Sequence, residues 1–176
     1  MKLALLLTLT LVVLSSSRVT RAQEKVSDRL APLARFAGAW TLDAKWADGT
    51  PLRARAVYEW GLGGKIMRAR TFIINGTDER QRYEDVIAWD PRRESIVDVS
   101  FSVDGAINEM LVESKDEHTL LFGWKPYHEG KPGRVRQTIT FDDKDRFVWI
   151  VELNTEGEWK QIMEGTWVRA KTDEKR

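Results

Sequence analysis

The sequence predicts an all-β protein: an antiparallel up-and-down β-barrel of about ten strands, with a short N-terminal helix closing one end. Three observations carry that expectation. After Gly38, apolar and polar residues alternate in one segment after another, the period of a half-buried strand. Turn residues separate the segments at intervals too short for anything but antiparallel neighbours. An open meander of this length would expose two edges, which closure removes; a two-sheet sandwich shares the alternation and stands as the alternative.

Residues 1–22 read as a secretory signal peptide: Lys2, an apolar run from Leu3 to Leu14, small polar residues, and a cleavage point after Ala22. The run falls short of the roughly 20 residues that cross a bilayer, so no permanent membrane anchor is expected. The chain has no cysteine, which excludes both lipid attachment at the cleavage point and disulfides. The expected localisation is secreted or periplasmic, in a bacterial envelope or medium. Within residues 23–37, Val26, Leu30, Leu33 and Phe36 recur at helical spacing, with Ser27 placed as a cap. Pro32 is positioned to bend this helix or divide it.

Residues 38–170 form the expected barrel, and the strands follow from its turns. Trp40 to Trp46 ends at Asp48-Gly49-Thr50-Pro51, and Leu52 to Trp60 at the Gly61–Gly64 break. Lys65 to Ile74 ends at Asn75-Gly76, Arg82 to Trp89 at Asp90-Pro91, and Ile96 to Val103 at Asp104-Gly105. Ile107 to Ser114 and His118 to Trp124 follow, then the long connection through Pro126 and Gly130. Arg134 to Phe141, Arg146 to Asn154 and Trp159 to Arg169 complete the set, and residues 171–176 are a charged tail.

Lysine plus arginine total 28 against 27 acidic residues, with the signs interspersed, so a nucleic-acid partner is not expected. Arg53, Arg55, Arg68 and Arg70 alternate with apolar residues and read as the solvated face of a sheet. The two histidines, His118 and His128, and the absence of cysteine exclude a His-rich metal site and a thiol nucleophile. His128 falls in a Gly- and Pro-rich loop. No cofactor, metal site or catalytic set is expected.

A ten-strand barrel can enclose more space than its own side chains fill, so an internal cavity for a small apolar or amphipathic molecule is expected. Candidate lining residues are Tyr58 with Trp60, Tyr83 with Asp85 and Trp89, His118 with Trp124, Gln137, Trp149, and Gln161 with Met163. Seven of the 8 tryptophans fall at or near strand ends, where a large ring stops a barrel end or walls a ligand. Asp85 is the pivotal residue. If it shares the inward face with Tyr83 and Ile87, it faces a ligand or an inward partner; if Glu84, Val86 and Ala88 face inward, it is solvated. Acid/base chemistry by Asp85 with Tyr83 or His118, and an envelope protein-binding or inhibitor module, are the alternative functions. Oligomeric state is not encoded in any pattern here.

The two ends of the barrel segment share one feature. Gly38-Ala39-Trp40 opens the first strand and Gly165-Thr166-Trp167-Val168-Arg169 closes the last, strands that pair in a closed meander. Arg169 is expected across the Trp40 ring, bonding carbonyls of the helix and closing that end. A Gly-x-Trp after a short helix, with an Arg on the last strand, resembles the calycin and lipocalin barrels. Over about residues 30–170 the chain looks like an uncharacterised bacterial family of secreted lipocalin-like domains. That resemblance implies a barrel with a ligand cavity. The strand count is similar to the nitrobindin type, but that family's haem-ligating histidine has no counterpart between Gln161 and Arg169. The chain also lacks the C-terminal helix of lipocalins and the helical lid of fatty-acid-binding proteins.

Overall fold

A computed structural model describes the backbone of residues 26–124, 127–128, 131–132 and 134–171, and side-chain surroundings for 28–123 and 134–171. The signal-peptide segment, residues 23–25 and most of the charged tail lie outside the described residues. The chain runs as α1 (Val26–Arg29), the 3-10 helix η1 (Ala31–Phe36), then β1 (Gly38–Trp46), β2 (Pro51–Gly61), β3 (Ile66–Asn75), β4 (Asp78–Asp90), β5 (Ser95–Ser102), β6 (Ile107–Ser114) and β7 (Thr119–Trp124). Two short strands, β8 (Tyr127–His128) and β9 (Lys131–Pro132), pair with each other within the long connection. Strands β10 (Arg134–Asp143), β11 (Arg146–Thr155) and β12 (Glu158–Arg169) follow.

Ten of these strands form one closed antiparallel barrel in the order β1-β12-β11-β10-β7-β6-β5-β4-β3-β2. Closure is made by β1 on β12, where Trp40 pairs with Arg169 and Trp46 with Met163. The sandwich alternative is thereby excluded. Outside, ion pairs link neighbouring strands, Arg70 to Glu59 at 3.0 Å and Arg68 to Glu84 at 2.6 Å, and Arg55 on β2 reaches across β3 to Glu79 on β4.

The N-terminal helix differs from a single amphipathic run. It divides after Arg29, and the second part is a 3-10 helix with Pro32 in its first turn. Proline has no N–H to donate and pushes the residue before it away from the α region, so it starts a helix more readily than it continues one. The buried residues Leu30, Leu33 and Phe36 are each three apart, the period at which 3-10 side chains line up. Leu30 and Leu33 are 0% exposed and Phe36 1%, so this helix plugs the barrel with one apolar edge.

Phe36 is the centre of that plug. Its ring stacks on Tyr58 at 5.0 Å and meets Phe141 and Phe147 edge-on at 5.0 and 5.5 Å. Trp40, itself 0% exposed, donates from Nε1 to the Phe36 carbonyl at 2.6 Å and packs on Phe147 at 4.8 Å. Edge and stacked aromatic contacts of this kind add specificity to the burial of large apolar area. The opposite end, where the β1–β2, β3–β4, β5–β6 and β11–β12 turns and the long connection gather, carries no such plug among the described residues.

Candidate functional site: an internal cavity with a paired carboxylate

Inside the barrel lies a cavity of about 520 Å³. Its walls are mostly apolar, with Ile139, Phe147, Trp149, Val151 and Trp167 on the β10–β12 side and Leu52, Ala54 and Ile73 on the β2–β3 side. Trp46, which is exposed, and Arg82, which is half-buried, reach it at the unplugged end and mark its mouth.

The polar groups gather on the wall made by β2, β4, β5 and β6. Register accounts for this: Tyr58 pairs with Ala69, Ala69 with Asp85, Asp85 with Ser100, and Ser100 with Asn108, one continuous row across five strands. In an antiparallel sheet, residues directly opposite share a face, so all five point into the barrel. The adjacent row sets Asp98 opposite Ile87 and Met110. Two carboxylates, Asp85 and Asp98, therefore line the same cavity near the plugged end, beside Tyr58 and Ser100.

Neither carboxylate is comfortable as an anion. Burial pushes the Asp85 carboxyl up to about 6, the Ser100 hydroxyl opposing and the nearby Glu84 charge adding to the rise. Burial pushes Asp98 well above the usual carboxylate range, and the Asp85 charge adds to it. Asp98 is 4% exposed, and its Oδ1 is a buried polar atom with no hydrogen-bond partner. The Tyr58 phenol is held neutral by burial first, then by the two nearby carboxylates. Across the cavity, Trp149 Nε1 donates to Gln137 Oε1 at 2.6 Å, and Gln137 Nε2 donates to Met110 Sδ at 3.4 Å.

Of the residues singled out from sequence, Tyr58, Tyr83, Asp85, Gln137 and Trp149 are brought together on the cavity wall. Asp85 faces inward, while Glu84 faces out to Arg68. Four others lie elsewhere. Trp60 has inward parity but sits near the end of β2, where the strand runs past the plug, and is 40% exposed. Trp89 packs on the core under the Arg29 guanidinium, 4.3 Å from its ring, on the far side of the plug. His118 precedes β7 and is exposed, with Arg35 Nη1 donating to its Nδ1 at 3.0 Å and Glu117 3.0 Å from its Nε2. Gln161 faces outward and donates to Glu164 at 3.0 Å. A register irregularity between the pairs Val151–Met163 and Glu152–Gln161 turns it out and gives Ile162 its place on the wall. The Trp124 and His128 side chains lie outside the described residues.

Asp98, Ser100 and Asn108 were not singled out from sequence. Strand β5 is patterned against expectation, because Val97, Val99 and Phe101 occupy the outward parity and Asp98 and Ser100 the inward one. Phe101 is accordingly 43% exposed. The available signal is the short β4–β5 turn: pairing Asp90 with Ser95 sets Asp85 opposite Ser100 by counting alone.

Gly38, Trp40 and Arg169 meet at the plugged end. The Arg169 guanidinium lies 4.2 Å from the Trp40 ring centroid and donates to the carbonyls of Ala37 at 2.7 Å, Arg35 at 3.1 Å and Lys144 at 2.7 Å. Its Nε donates to Asp145 Oδ1 at 2.8 Å. Gly38 has φ +122°, and a Cβ there would come within 2.7 Å of Arg169 Nη1.

No protein-family profile and no curated protein matches the chain. Among solved structures it is similar to a redesigned β-barrel at 15% identity and TM-score 0.43, covering 81% of this chain and 96% of that one. It is also similar to the redesigned barrel mFAP1 bound to DFHBI, at 14% identity and TM-score 0.37, with coverage of 77% and 95%. The S-type phycobiliprotein lyase CPES from Guillardia theta is similar at 12% identity and TM-score 0.48, with coverage of 79% and 90%. At these scores none of the three bears on function. The strand order and closure seen in this chain are those of a ten-strand up-and-down antiparallel barrel.

Proposed function

We propose that the protein is an exported calycin-like barrel that holds a small amphipathic molecule inside its cavity. The observation that carries this reading is a cavity of about 520 Å³, plugged at one end, with largely apolar walls and a few polar groups. Ligand sites run from roughly 300 to 1,000 Å³ and combine those same ingredients, apolar walls for affinity and few polar groups for orientation. Export rests on the signal-peptide pattern of residues 1–22, and kinship with secreted bacterial lipocalin-like domains on the Gly38, Trp40 and Arg169 constellation.

Native mass spectrometry of protein purified without organic solvent tests the binding half: a co-purified small molecule is expected, lost when the cavity is filled by substitution. Protein that carries nothing and takes up no apolar probe would refute it. N-terminal sequencing of secreted material tests export, with a mature chain beginning at Gln23 expected. An intact Met1 terminus in the cytoplasm is the contrary result.

One observation favours a second reading, acid/base chemistry at Asp85. Its carboxyl is pushed up to about 6 inside an apolar cavity, near the range where a group both takes and gives a proton at neutral pH. Tyr83 lines the same cavity, whereas His118 does not. Under this reading the barrel exchanges a carbon-bound proton of its ligand. Recovering the co-purified molecule from deuterated buffer would show deuterium uptake that Asp85→Asn abolishes; no uptake leaves the protein a carrier.

A further inference from the structure

Among the described residues, Asp98 Oδ1 is the buried side-chain polar atom left without a hydrogen-bond partner. An unpaired carboxylate in an apolar enclosure is costly, and such groups hold a proton, find a hydrogen bond or meet a cation. Asp98 is 4% exposed and lines the cavity, so whatever completes it comes from inside the barrel. Asp85 and Asp98 are diagonal neighbours on β4 and β5, a relationship that in a regular antiparallel pair spans roughly 7–8 Å. One small positive group can bond both across such a gap.

Among the described residues, no side chain supplies such a group. Arg82 lines the cavity at its mouth, but its Nη2 bonds Asp104 at 3.1 Å and its guanidinium lies over Tyr83. Arg68, on the strand next to Asp85, turns outward to Glu84. Facing the pair from β2 is Tyr58, from β5 Ser100, from β6 Asn108 and Met110, and from the far wall Gln137, already committed to Trp149. A bare divalent ion is a poorer match, since hard cations take about six or more oxygen ligands and no group of three metal-ligating side chains occurs among the described residues.

We propose that the cavity takes an organic cation, a protonated amine or amidine whose head bonds Asp85 and Asp98 while its apolar body lies against Phe147, Trp149 and Trp167. This rests on the reading of the cavity as a ligand site. Aromatic walls suit such a body, because cations and their polarised neighbouring carbons are attracted to ring faces. Before the ligand arrives the pair retains a proton, since burial and mutual repulsion oppose two charges. The ammonium replaces that proton, which leaves to solvent, so binding is an exchange of one cation for another.

The test uses three probes of equal chain length, decylamine, decanol and decanoate, titrated calorimetrically into the mature barrel at neutral pH. Decylamine is expected to bind at least about tenfold more tightly than the other two, the scale of a charge-assisted hydrogen bond. Amine binding in buffers of different ionisation heat is expected to show proton release. Asp98→Asn should erase the amine preference by weakening decylamine binding at least about tenfold more than decanol binding, and Asp85→Asn serves as the second variant if Asp98→Asn does not fold. Equal binding of amine and alcohol, a preference for decanoate, or an amine preference that survives both substitutions overturns the organic-cation inference and leaves the ligand cavity standing. Binding by none of the three removes both.

Discussion

Arg169 spreads its guanidinium over the Trp40 indole, 4.2 Å from the ring centroid, and from there bonds three backbone carbonyls and the Asp145 carboxylate. The last strand is thereby fastened to the first, to the plug helix and to the β10–β11 turn by one side chain. Only a planar fork with several donors can do this, which is why lysine is a poor substitute. Gly38 makes the approach possible, since its φ of +122° and its missing Cβ both admit the guanidinium.

Arg169→Leu is therefore expected to lower unfolding free energy by about 3 kcal/mol, because it strands carbonyls that were bonded to a charged donor. Arg169→Lys should recover only a minority of that loss. Gly38→Ala should cost about 2 kcal/mol or more through backbone strain and the clash with Nη1. Urea denaturation of the three variants checks this. A Gly38→Ala protein as stable as the parent would show that the close approach is not needed.

The carboxylate pair gives the protein an unusual pH dependence. Asp85 rises from the ordinary value of 3.8 in the unfolded chain to about 6 in the fold, so between these values the folded state holds a proton that the unfolded state has released. Stability then falls as pH rises through that window, the reverse of the usual salt-bridged carboxylate. The loss for Asp85 alone is roughly 3 kcal/mol at neutral pH, taking 1.36 kcal/mol per tenfold proton affinity. Asp98 acts in the same direction. Asp98→Asn is expected to raise the melting temperature at neutral pH, with the gain shrinking toward zero as pH falls below about 4. Thermal melts across the acid range measure it, and a gain that persists at the acid end would assign the effect to something other than ionisation.

How far these features were legible in the sequence differs by residue. Strand order and closure were, because turn signals such as Asn75-Gly76 and Asp104-Gly105 punctuate an alternation that tertiary packing did not override. Face assignment was not, because alternation gives a period and not a sign. In β5 the apolar set Val97, Val99 and Phe101 points outward, so a pattern reading would put Asp98 in solvent when it is the most enclosed carboxylate described. Parity also fails at irregularities, where Gln161 turns out and Ile162 turns in. Finally, parity says nothing about height along the barrel axis. Trp60 and Trp89 have the right parity but lie beyond the plug that defines the cavity floor.

Gln137 is expected to hold Trp149 in place on the cavity wall. Its Oε1 accepts the indole N–H at 2.6 Å, and the amide is turned so that its Nε2 faces Met110. Gln137→Leu leaves that N–H unpaired in a half-buried site and should cost about 1–3 kcal/mol. Trp149→Phe in the same chain removes the orphaned donor and should restore part of the loss. The double-mutant cycle reads the coupling, and additivity within about 0.5 kcal/mol would mean that the two side chains do not act together.

Filling the cavity should separate binding from folding. Ala54 is 2% exposed and lines the cavity, so Ala54→Phe directs a ring into existing space and gains contacts that the void lacks. The expectation is a melting temperature equal to or above the parent and an affinity for decanol at least about tenfold weaker. Gly165 supplies the contrast. A Cβ there would lie 2.6 Å from Leu42 Cδ1 and 2.7 Å from Ala44 Cβ, so Gly165→Val meets packed side chains and should destabilise the barrel by about 2 kcal/mol or more. His118→Ala, Trp60→Ala and Gln161→Ala alter residues that lie off the cavity wall and should leave decanol affinity within about twofold of the parent. If Ala54→Phe binds decanol as well as the parent does, the probe occupies the outer surface, where Phe101, Ile107 and Leu111 are exposed.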